Sequence, residues 1–395
     1  MNCGTLWPGF VAEGITVLPN HIAVFSWLVF GLLFLFTLRR FWLLIAAARP
    51  VRYSERGDER SVAAIASVLN EEENLPGLLE ALDNLDYSQD KIFFLLVDDG
   101  SRDRTSGILQ AWAGRRANAR CLVLSQSLGK AEALNKAVEA APESELIAVY
   151  DADLRPQSDS LRILASAFRD ERIGAVSGFR RPANASASTV AAYGALETLV
   201  HQLITQSGKE TLGLNPTTLG GNCVYRRSAL QQIGGFPAGA FSEDIEISHA
   251  LVAEGWRTRF LIDAVAHSLV VESLGRYWNQ RCRWTRGLYR SHRRASGMES
   301  WLVSAGYLDR LAFLAALVLT GAGHISILWP AIYCMGHAAS IASALGRANL
   351  GAAPTVRMLR SILPMFAVDV SVSFTATVSS LLGRHQQWRT GGASR

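Results

Sequence analysis

An uncharged apolar run near the beginning of the chain, over residues 22–38, most constrains what this protein can fold into. The run reaches the lower length limit for a helix that crosses a hydrocarbon core about 30 Å thick. No Lys or Arg precedes it, whereas Arg39 and Arg40 follow it directly, which is the reverse of the charge order in a secretory signal. We therefore expect a retained anchor within residues 1–50, with the following residues in the cytoplasm.

Two further apolar stretches lie near the other end of the chain, over residues 311–345 and 362–382. The first is too long for one simple span and contains Pro330, so it predicts either a tight pair of helices or one helix with an interfacial extension. Arginines flank the last stretch on both sides, so three and four spans in total are equally compatible with the loop charges. The sequence thus predicts a multi-pass inner-membrane protein with a C-terminal transmembrane region over residues 309–395.

One acidic residue, Asp369, lies inside the last apolar stretch. An ionisable residue at membrane depth either faces protein or water, or lines a pathway through the membrane. The sequence leaves both alternatives open for Asp369.

Composition and missing motifs exclude several classes of protein. The five cysteines have no CxxC spacing, which argues against a zinc ribbon, a redox pair or a disulfide framework. The net charge is +5, but much of the positive charge adjoins the apolar stretches, where anionic membrane lipid is a more economical partner than nucleic acid. No GxGxxG follows the first predicted strand and no GxxxxGK[ST] occurs, so the usual dinucleotide and P-loop phosphate sites are absent from the sequence.

Between the apolar ends, residues 51–272 alternate short β-rich runs with helical patterns, which is typical of a parallel sheet with crossover helices. The runs over residues 61–69, 91–99, 119–125 and 145–153 predict buried strands. Three of these four end in polar residues: Asn70 with Glu71, Asp98 with Asp99, and Asp151 with Asp153. Ligands of open α/β sheets bind beyond the carboxyl ends of the strands, so we expect the functional site there.

The run VDDGSRDRT over residues 97–105 closes a predicted strand with two carboxylates and turns at Gly100. Ser101 or Asp103 can cap the helix that is predicted to begin near Arg104. A carboxylate at this turn can accept the ring N–H of a uracil base. The alternative is that Asp98 or Asp99 merely stabilises the turn and the helix end.

The run DAD over residues 151–153 places two carboxylates two positions apart at a strand end. In the turn both can bend toward one Mg²⁺ or Mn²⁺ ion that bridges a diphosphate, because such ions prefer oxygen ligands shared with substrate phosphates. The motif is weak alone, but its position after an apolar strand and a DDGS turn makes it informative.

The run SED over residues 242–244 precedes a predicted helix. Asp244 is either an N-terminal carboxylate favoured by the helix dipole or a general base that removes a proton from an acceptor hydroxyl. Beside the DDGS and DAD motifs, we favour the general base.

A basic, aromatic segment over residues 273–308 precedes the last apolar region. On a helix, Gln280, Arg283 and Trp284 share one face, where Arg can hold a diphosphate and Trp can stack on a sugar ring. A basic aromatic belt surrounds them: Arg276, Arg281, Arg286, Arg290, Arg293 and Arg294 with Tyr277, Trp278 and Tyr289. The alternative is an amphipathic helix on anionic lipid, and both interpretations can hold at once.

Taken in order, these motifs resemble the family 2 membrane glycosyltransferases, especially the processive synthases of cellulose, hyaluronan, chitin oligosaccharide and poly-N-acetylglucosamine. The resemblance covers roughly residues 60–290 and rests on SVLNEEENL, VDDGSRDRT, GKAEALNKA, DAD, GGNCVYRRSAL with GGF, SED and QRCRW. It implies a GT-A type nucleotide-sugar-binding α/β domain with a mostly parallel sheet, joined to N- and C-terminal transmembrane helices.

The resemblance also implies roles for individual residues. Asp98 or Asp99 would hold the uridine, with Asn70 and Glu71 beside it, and Lys130 would lie near the diphosphate. Asp151 and Asp153 would bind Mg²⁺ or Mn²⁺, and Asp244 would be the base of an inverting transfer. Gln280, Arg283 and Trp284 would shape the acceptor and diphosphate end of the site.

Two departures from the family pattern bear on the acceptor. The acidic tripeptide is Ser-Glu-Asp where the processive members commonly have Thr-Glu-Asp, and the membrane region is small for a polymer channel within one chain. We expect a UDP-sugar donor, a growing β-linked glycan as acceptor, contact with membrane lipid, and a second copy or a partner subunit for export. Transfer of one or a few sugars to a lipid, giving a glycolipid, is the alternative, and a catalytically silent membrane subunit is the second.

Overall fold

The computed structural model describes residues 20–52, 59–239, 242–291, 301–303, 306 and 308–381. Arg293 and Arg294 of the predicted belt lie outside the described residues, as does Leu382 at the end of the last predicted span. The side chains of Tyr289 and Arg290 also lie outside them.

In the described part of the chain, eight strands form one sheet in the order β3-β2-β1-β4-β7-β6-β8-β5. Their bounds are β1 Val62–Val68, β2 Ile92–Asp98, β3 Ala119–Val123, β4 Leu146–Tyr150, β5 Arg155–Pro156, β6 Ile173–Pro182, β7 Cys223–Arg226 and β8 Arg257–Ser268. The four strands predicted from the sequence are therefore confirmed as β1 to β4, each within a few residues of its predicted bounds.

Helices cover both faces of the sheet. Those of the sheet domain are α2 Leu75–Asp83, α3 Thr105–Ala113, α4 Lys130–Ala140, α5 Ser160–Ser166, α6 Thr189–Val200, α7 Ser207–Leu212, α8 Arg227–Gln232 and α9 Glu243–Ala253. One buried core joins β1, β2 and β4 to α2, α3 and α5, and a second joins the other sheet face to α4, α8 and α9. Burial on both faces explains why the first strands are continuous apolar runs in the sequence.

The first four strands pair in parallel, as predicted, but the sheet as a whole is mixed. Strand β7 runs antiparallel to both β4 and β6, β8 is parallel to β6, and β5 is antiparallel to β8. Two parallel strands require a connection that returns the chain from the end of the first strand to the opposite end of the sheet, where the next strand begins. The helical segment between β6 and β7 instead brings the chain back to the end of the sheet where β4 and β6 finish. Strand β7 begins there and therefore runs in the opposite direction to both.

Further helices lie outside the sheet domain or connect it to the rest of the chain. They are α1 Asn20–Ala47, α10 Leu274–Ser291, α11 Leu308–Gly321, α12 Leu328–Ala348 and α13 Ala352–Leu381. The stretch over residues 311–345 is a pair of helices, the first of the two alternatives, and Pro330 lies in the first turn of α12, where proline is tolerated. Among the described residues, α1 and α13 are long and apolar enough to cross a membrane.

Helix α1 packs directly on the sheet domain. A Cβ atom at Gly208 of α7 would lie 2.5 Å from the main-chain oxygen of Leu43, so this close approach requires glycine. A π-helical turn, His201–Gln206, joins α6 to α7 and adds to the same contact surface. The N-terminal helix is therefore fixed against the domain that carries the predicted site.

Candidate active site

The loops that follow β1 and β2 are held together by hydrogen bonds between the two predicted motifs. The main-chain N–H of Asn70 donates to Ser101 Oγ at 2.9 Å, and Asn70 Oδ1 accepts from the N–H of Arg102 at 2.9 Å. The N–H of Glu71 donates to Thr105 Oγ1 at 2.9 Å. Asn70 has a positive φ of 53°, which Asn tolerates better than most residues. The polar ends of two neighbouring strands therefore form one surface, as the sequence predicts.

The two aspartates of the DDGS turn have different environments. Asp98 is buried; its Oδ1 accepts the N–H of Ser101 at 3.0 Å, while its Oδ2 accepts no hydrogen bond from the described residues. Asp99 accepts hydrogen bonds from Ser127 Oγ at 2.7 Å, Leu128 N at 2.7 Å and Gly129 N at 3.0 Å. An ionised carboxylate can accept about four hydrogen bonds, so Asp99 keeps capacity for one more.

A cavity of about 310 Å³ opens at the ends of these strands. Asp99 lines it, together with residues at and after the ends of β1 and β4 and the first residue of α4, whereas Asp98 is not part of the lining. The lining residues are Ser67, Val68, Leu69, Glu71, Asp99, Lys130, Asp151, Ala152 and Asp153. The structure thus brings most of the predicted binding residues around one space, although Asn70 and Asp98 support it from outside.

Three charged residues of the cavity lining contact two others outside it, and we call Lys130, Asp151, Asp153, Arg180 and Glu243 the strand-end cluster. Lys130 Nζ lies 2.8 Å from Asp151 Oδ1 and 2.8 Å from Glu243 Oε1. Arg180 lies 3.8 Å from Asp151 Oδ2 and 3.9 Å from Asp153 Oδ2. Two cations therefore sit among three carboxylates.

The pKa values of the two DAD aspartates move in opposite directions. Burial raises the pKa of Asp151, but the charges of Lys130 and Arg180 outweigh burial and leave that pKa lowered. Burial raises the pKa of Asp153, and the charge of Asp151 adds to the rise, while Arg180 opposes it. The charges of Arg180 and Lys130 thus do not outweigh the burial of Asp153.

Two glycines let the main chain pass beside Asp151. Gly220 has φ +80°, and a Cβ atom at Gly221 would lie 2.5 Å from Asp151 Oδ2. Any larger residue at position 221 would push against the carboxylate. This contact gives a physical reason for the GG of GGNCVYRRSAL.

Asp244 lies at the start of α9, next to the strand-end cluster. Its Oδ1 accepts the N–H of Ile245 at 2.9 Å, and its main-chain oxygen accepts from Ser248 Oγ and Thr218 Oγ1. Burial and then the charge of Glu243 raise the pKa of Asp244 to about 6, against the opposing charges of Lys130 and Arg283. A carboxylate with this pKa is ionised near neutral pH and can still accept a proton.

Helix α10 brings the QxxRW motif to the same region. Gln280, Arg283 and Trp284 are half-buried on one side of the helix. The charge of Arg283 lowers the pKa of both Asp151 and Asp244. A Cβ atom at Gly287 would lie 2.8 Å from the Cβ of Ser242, so α10 passes close to the SED motif.

Part of the predicted basic belt faces inward instead of toward lipid. Tyr277 is fully buried and Arg281 is 7% exposed, because both contact Glu197 of α6. Arg276 is exposed, and Trp278 and Arg286 are half-buried. Asp369 also faces protein, as the first of its two alternatives predicts, with 1% of its surface exposed.

Sequence reasoning missed two members of the strand-end cluster, Arg180 and Glu243. Arg180 follows the apolar part of β6 at the edge where β4 ends, so the rule that pointed to Asp151 would have found it had β6 been identified. Glu243 is the middle residue of the SED run, in which the sequence analysis assigned a role only to the neighbouring Asp244. Arg180 also donates to the main-chain oxygen of Leu219 at 2.7 Å.

Comparisons with known proteins identify the family to which this domain is related. Residues 60–287 match the family model described as "Glycosyltransferase like family 2". The chain is 30% identical over 230 residues to "Probable glycosyltransferase YdaM" of Bacillus subtilis, covering 57% of this chain and 54% of the relative. It is 28% identical over 252 residues to a "Beta-monoglucosyldiacylglycerol synthase" of Nostoc sp., covering 63% and 53%.

A third relative is a "Poly-beta-1,6-N-acetyl-D-glucosamine synthase" of Staphylococcus epidermidis, 26% identical over 238 residues and covering 59% of this chain and 56% of the relative. The chain spans about half the length of the curated relatives it matches. Among solved structures, the mannosyltransferase PcManGT from Pyrobaculum calidifontis, in complex with GDP-Man and Mn²⁺, has a TM-score of 0.63 and 20% identity. The match covers 93% of this chain and 99% of that one, so the two share a GT-A-like α/β fold.

Proposed function

The chain belongs to the glycosyltransferase-like family 2, and we propose that it transfers a sugar from a UDP-sugar to an acceptor hydroxyl with inversion at the anomeric carbon. One observation carries the proposal. Lys130 joins Asp151 of the DAD run to Glu243 of the SED run, each at 2.8 Å, beside Asp244. The motif for holding a diphosphate and the motif for activating a hydroxyl are therefore in contact.

The donor's uridine fits the polar surface formed by the β1 and β2 loops. Asp99 lines the cavity and has one acceptor position left, which suits the ring N–H of uracil. Asp98 and Asn70 hold the turn beneath it through Ser101 and Arg102. Glu71 lies on the cavity wall, where burial raises its pKa.

The residues present fit a divalent ion shared with the donor. Asp151 and Asp153 supply two hard oxygen donors, and the cluster has more carboxylates than cations. Among the described residues, no group of three or more His, Cys, Asp or Glu side chains could hold a metal alone. An ion here would take its remaining ligands from the diphosphate and water, as Mg²⁺ and Mn²⁺ do, and would neutralise charge on the diphosphate. The solved mannosyltransferase carries Mn²⁺ with its nucleotide sugar.

The transfer itself needs a base and a stabilised leaving group. Asp244 takes the proton of the acceptor hydroxyl. At the same time the acceptor oxygen forms a bond to the anomeric carbon on the face opposite the diphosphate. The bond to the diphosphate oxygen breaks with its electron pair, and UDP leaves. The positive charges of Lys130, Arg180 and Arg283, all near Asp151, would stabilise the negative charge that develops on UDP as it leaves.

The site belongs at a membrane surface in this proposal. Helices α1 and α13 are long and apolar enough to span, and α1 packs on the sheet domain. We propose a catalytic domain over residues 51–272 in the cytoplasm, an interfacial segment over residues 273–308, and membrane regions on either side. Trp284 would meet the acceptor where it reaches the membrane surface.

For the acceptor we propose a growing β-linked glycan, with transfer of one or a few sugars to a lipid as the second candidate. The packing of the helices favours the second candidate. Val29 and Leu33 of α1, Phe313 of α11 and Tyr333 of α12 fill the space between their helices, and the rings of Phe313 and Tyr333 stack at 4.7 Å. A lipid acceptor needs no path through that space, whereas an exported polymer needs a second copy or a partner subunit.

A radiolabelled donor panel tests the proposal. Membranes that contain the protein are incubated with several UDP-sugars and Mn²⁺, and the labelled product is sized. A ladder that β-glycosidase degrades supports the growing glycan, and a single organic-soluble species of constant size supports the lipid. No labelled product and no UDP release from any donor, by the purified protein as well, would leave the catalytically silent subunit as the correct interpretation.

A further inference from the structure

A second group of charged side chains, some buried and some half-buried, lies between the sheet domain and the helices α1, α11 and α13. It joins three carboxylates to three guanidinium groups, so its formal charge is zero. We call it the helix network: Glu197, Asp309 and Asp369 with Arg40, Arg281 and Arg310. Charge balance is what allows such groups to be buried, because an unpaired charge away from water is costly.

Asp369 of α13 is the centre of the helix network. Its Oδ2 accepts from Tyr193 OH at 3.0 Å and from Arg310 Nε at 3.0 Å, and its Oδ1 accepts from Tyr277 OH at 2.5 Å. The three donors come from α6, α11 and α10. One carboxylate therefore ties a terminal helix to three other elements.

Glu197 of α6 makes the other polar contacts with α10. Its Oε2 accepts from Arg281 and lies 2.9 Å from the oxygen of Tyr277, whose single proton goes to the nearer Asp369, while its Oε1 accepts from Arg310 Nη2 at 3.0 Å. Tyr277 and Arg281 are four residues apart and so lie on the same side of α10. This inward side carries the polar contacts that α10 makes with α6 and α13.

Arg283 of the QxxRW motif lies on a different side of α10, because it follows Arg281 by two residues in a helix of about 3.6 residues per turn. Arg281 lies between Gln280 and Arg283 in sequence, and its guanidinium carbon is 4.8 Å from the centre of the Trp284 ring. A rotation or shift of α10 that broke the Tyr277 and Arg281 bonds would move Arg283 relative to Asp151 and Asp244. The contacts of Tyr277 and Arg281 on one side of α10 therefore affect the position of Arg283 on another side.

We propose that Tyr277 and Arg281 are positioning residues for the transfer reaction, which fix the orientation of α10 and through it the position of Arg283 at the diphosphate. Because Asp369 and Arg310 belong to the terminal helices, those helices then set the geometry of the catalytic site. The proposal rests on the proposed function, since it assigns Arg283 a place in the transfer step.

A pair of tyrosines provides a matched comparison. Tyr193 and Tyr277 both donate to Asp369, and their rings pack together with centroids 6.1 Å apart. Tyr193 lies on α6 and Tyr277 on α10, so only the second hydroxyl ties the QxxRW helix. Replacing either by Phe removes a buried hydroxyl and keeps the ring.

The experiment measures kcat for UDP release, UDP binding with Mn²⁺ by calorimetry, and thermal unfolding, on the full chain in detergent. Misplacing a catalytic group by about 1 Å can cost about a hundredfold in rate, so Tyr277→Phe should lower kcat between about tenfold and about a hundredfold. Its Kd for UDP should rise by no more than about fivefold, since a displaced Arg283 loses part of one contact to the diphosphate while the uridine surface is untouched. Tyr193→Phe should lower the unfolding temperature comparably and leave kcat near the wild-type value.

Equal kcat values for the two variants would overturn the proposal, because the hydroxyls would then act only through stability. Arg281→Lys, which keeps the charge but loses the fork geometry, is measured in parallel and should also lower kcat. If Tyr277→Phe does not fold, a wild-type kcat in Arg281→Lys overturns the proposal by itself. Absence of UDP release from every donor by the wild type would instead refute the proposed function.

Discussion

The strand-end cluster and the helix network are both built from acids and bases, yet they differ in balance and in access to solvent. Asp151 and Asp153 expose 22% and 29% of their side chains, and their cluster has three carboxylates for two cations. Asp369 exposes 1% of its side chain, and the helix network has three carboxylates for three guanidinium groups. An open cluster with excess negative charge can take a cation and a phosphate, whereas a closed and neutral one can only hold elements together.

The difference between the strand-end cluster and the helix network predicts its largest effect on sugar transfer when the divalent ion is removed. Chelation with EDTA should abolish sugar transfer, because the strand-end cluster has three carboxylates for two cations and the diphosphate brings further negative charge. Thermal unfolding of the same sample checks that the helix network keeps the fold intact. Activity should return when Mn²⁺ is added in excess, and turnover that survives EDTA unchanged would show that the metal assignment is wrong.

The next effect concerns stability and the helix network. Removing one partner of a buried ion pair typically costs about 3 to 5 kcal/mol, so Arg310→Met should lower the free energy of unfolding by that amount. Denaturant unfolding of the full chain in detergent measures it. The matched control is Lys136→Met, which breaks the exposed Lys136–Glu139 pair at 2.8 Å and should leave unfolding almost unchanged. Similar losses in the two variants would remove the contrast between a buried network and a surface pair.

A smaller effect is the dependence of turnover on pH. The base must be ionised, and burial with the charge of Glu243 raises the pKa of Asp244 to about 6. Activity should therefore be full well above pH 6, and kcat/KM should fall about tenfold for each unit below it. An acid limb centred near pH 4, the ordinary range of an aspartate, would show that Asp244 does not titrate as the base.

The smallest effect lies in the uridine surface. Ser127→Ala removes one of the hydrogen bonds that orient Asp99, so UDP should bind more weakly, by at most about fivefold, the equivalent of one net hydrogen bond of about 1 kcal/mol. Calorimetry with UDP and Mn²⁺ measures the change. Ser106→Ala on the neighbouring helix α3 touches no part of the cavity and should bind UDP as the wild type does. Unchanged affinity in Ser127→Ala would argue against Asp99 as the uracil contact.

The strand-end cluster could be anticipated because its information is local. Continuous apolar runs marked β1 to β4, and the residues directly after them, Asp99 and Asp151, line the cavity. The antiparallel part of the sheet left no comparable signal, since β7 is only four residues long and its pairing depends on where distant helices return the chain. Arg180 was missed because its own strand, β6, was not predicted from the sequence.

The helix network could not be read from the sequence at all. Arg281 stands among other arginines in an acid-free segment, and nothing nearby indicates that its partner is Glu197, on another helix. Asp369 likewise looks the same whether it faces a pathway or two tyrosines. Only tertiary packing distinguishes a basic residue on a lipid-facing side from one that closes a neutral buried network.

Asp244→Asn tests the central claim most directly, because it removes a single ionisable oxygen where the diphosphate and acceptor motifs meet. The variant keeps the shape of the side chain and should bind UDP with Mn²⁺ as the wild type does. Its rate of sugar transfer should fall by about 10² to 10⁴, the usual contribution of a general base. Loss of UDP binding together with turnover, or transfer at the wild-type rate, would contradict the account of Asp244 as the base of an inverting glycosyltransferase.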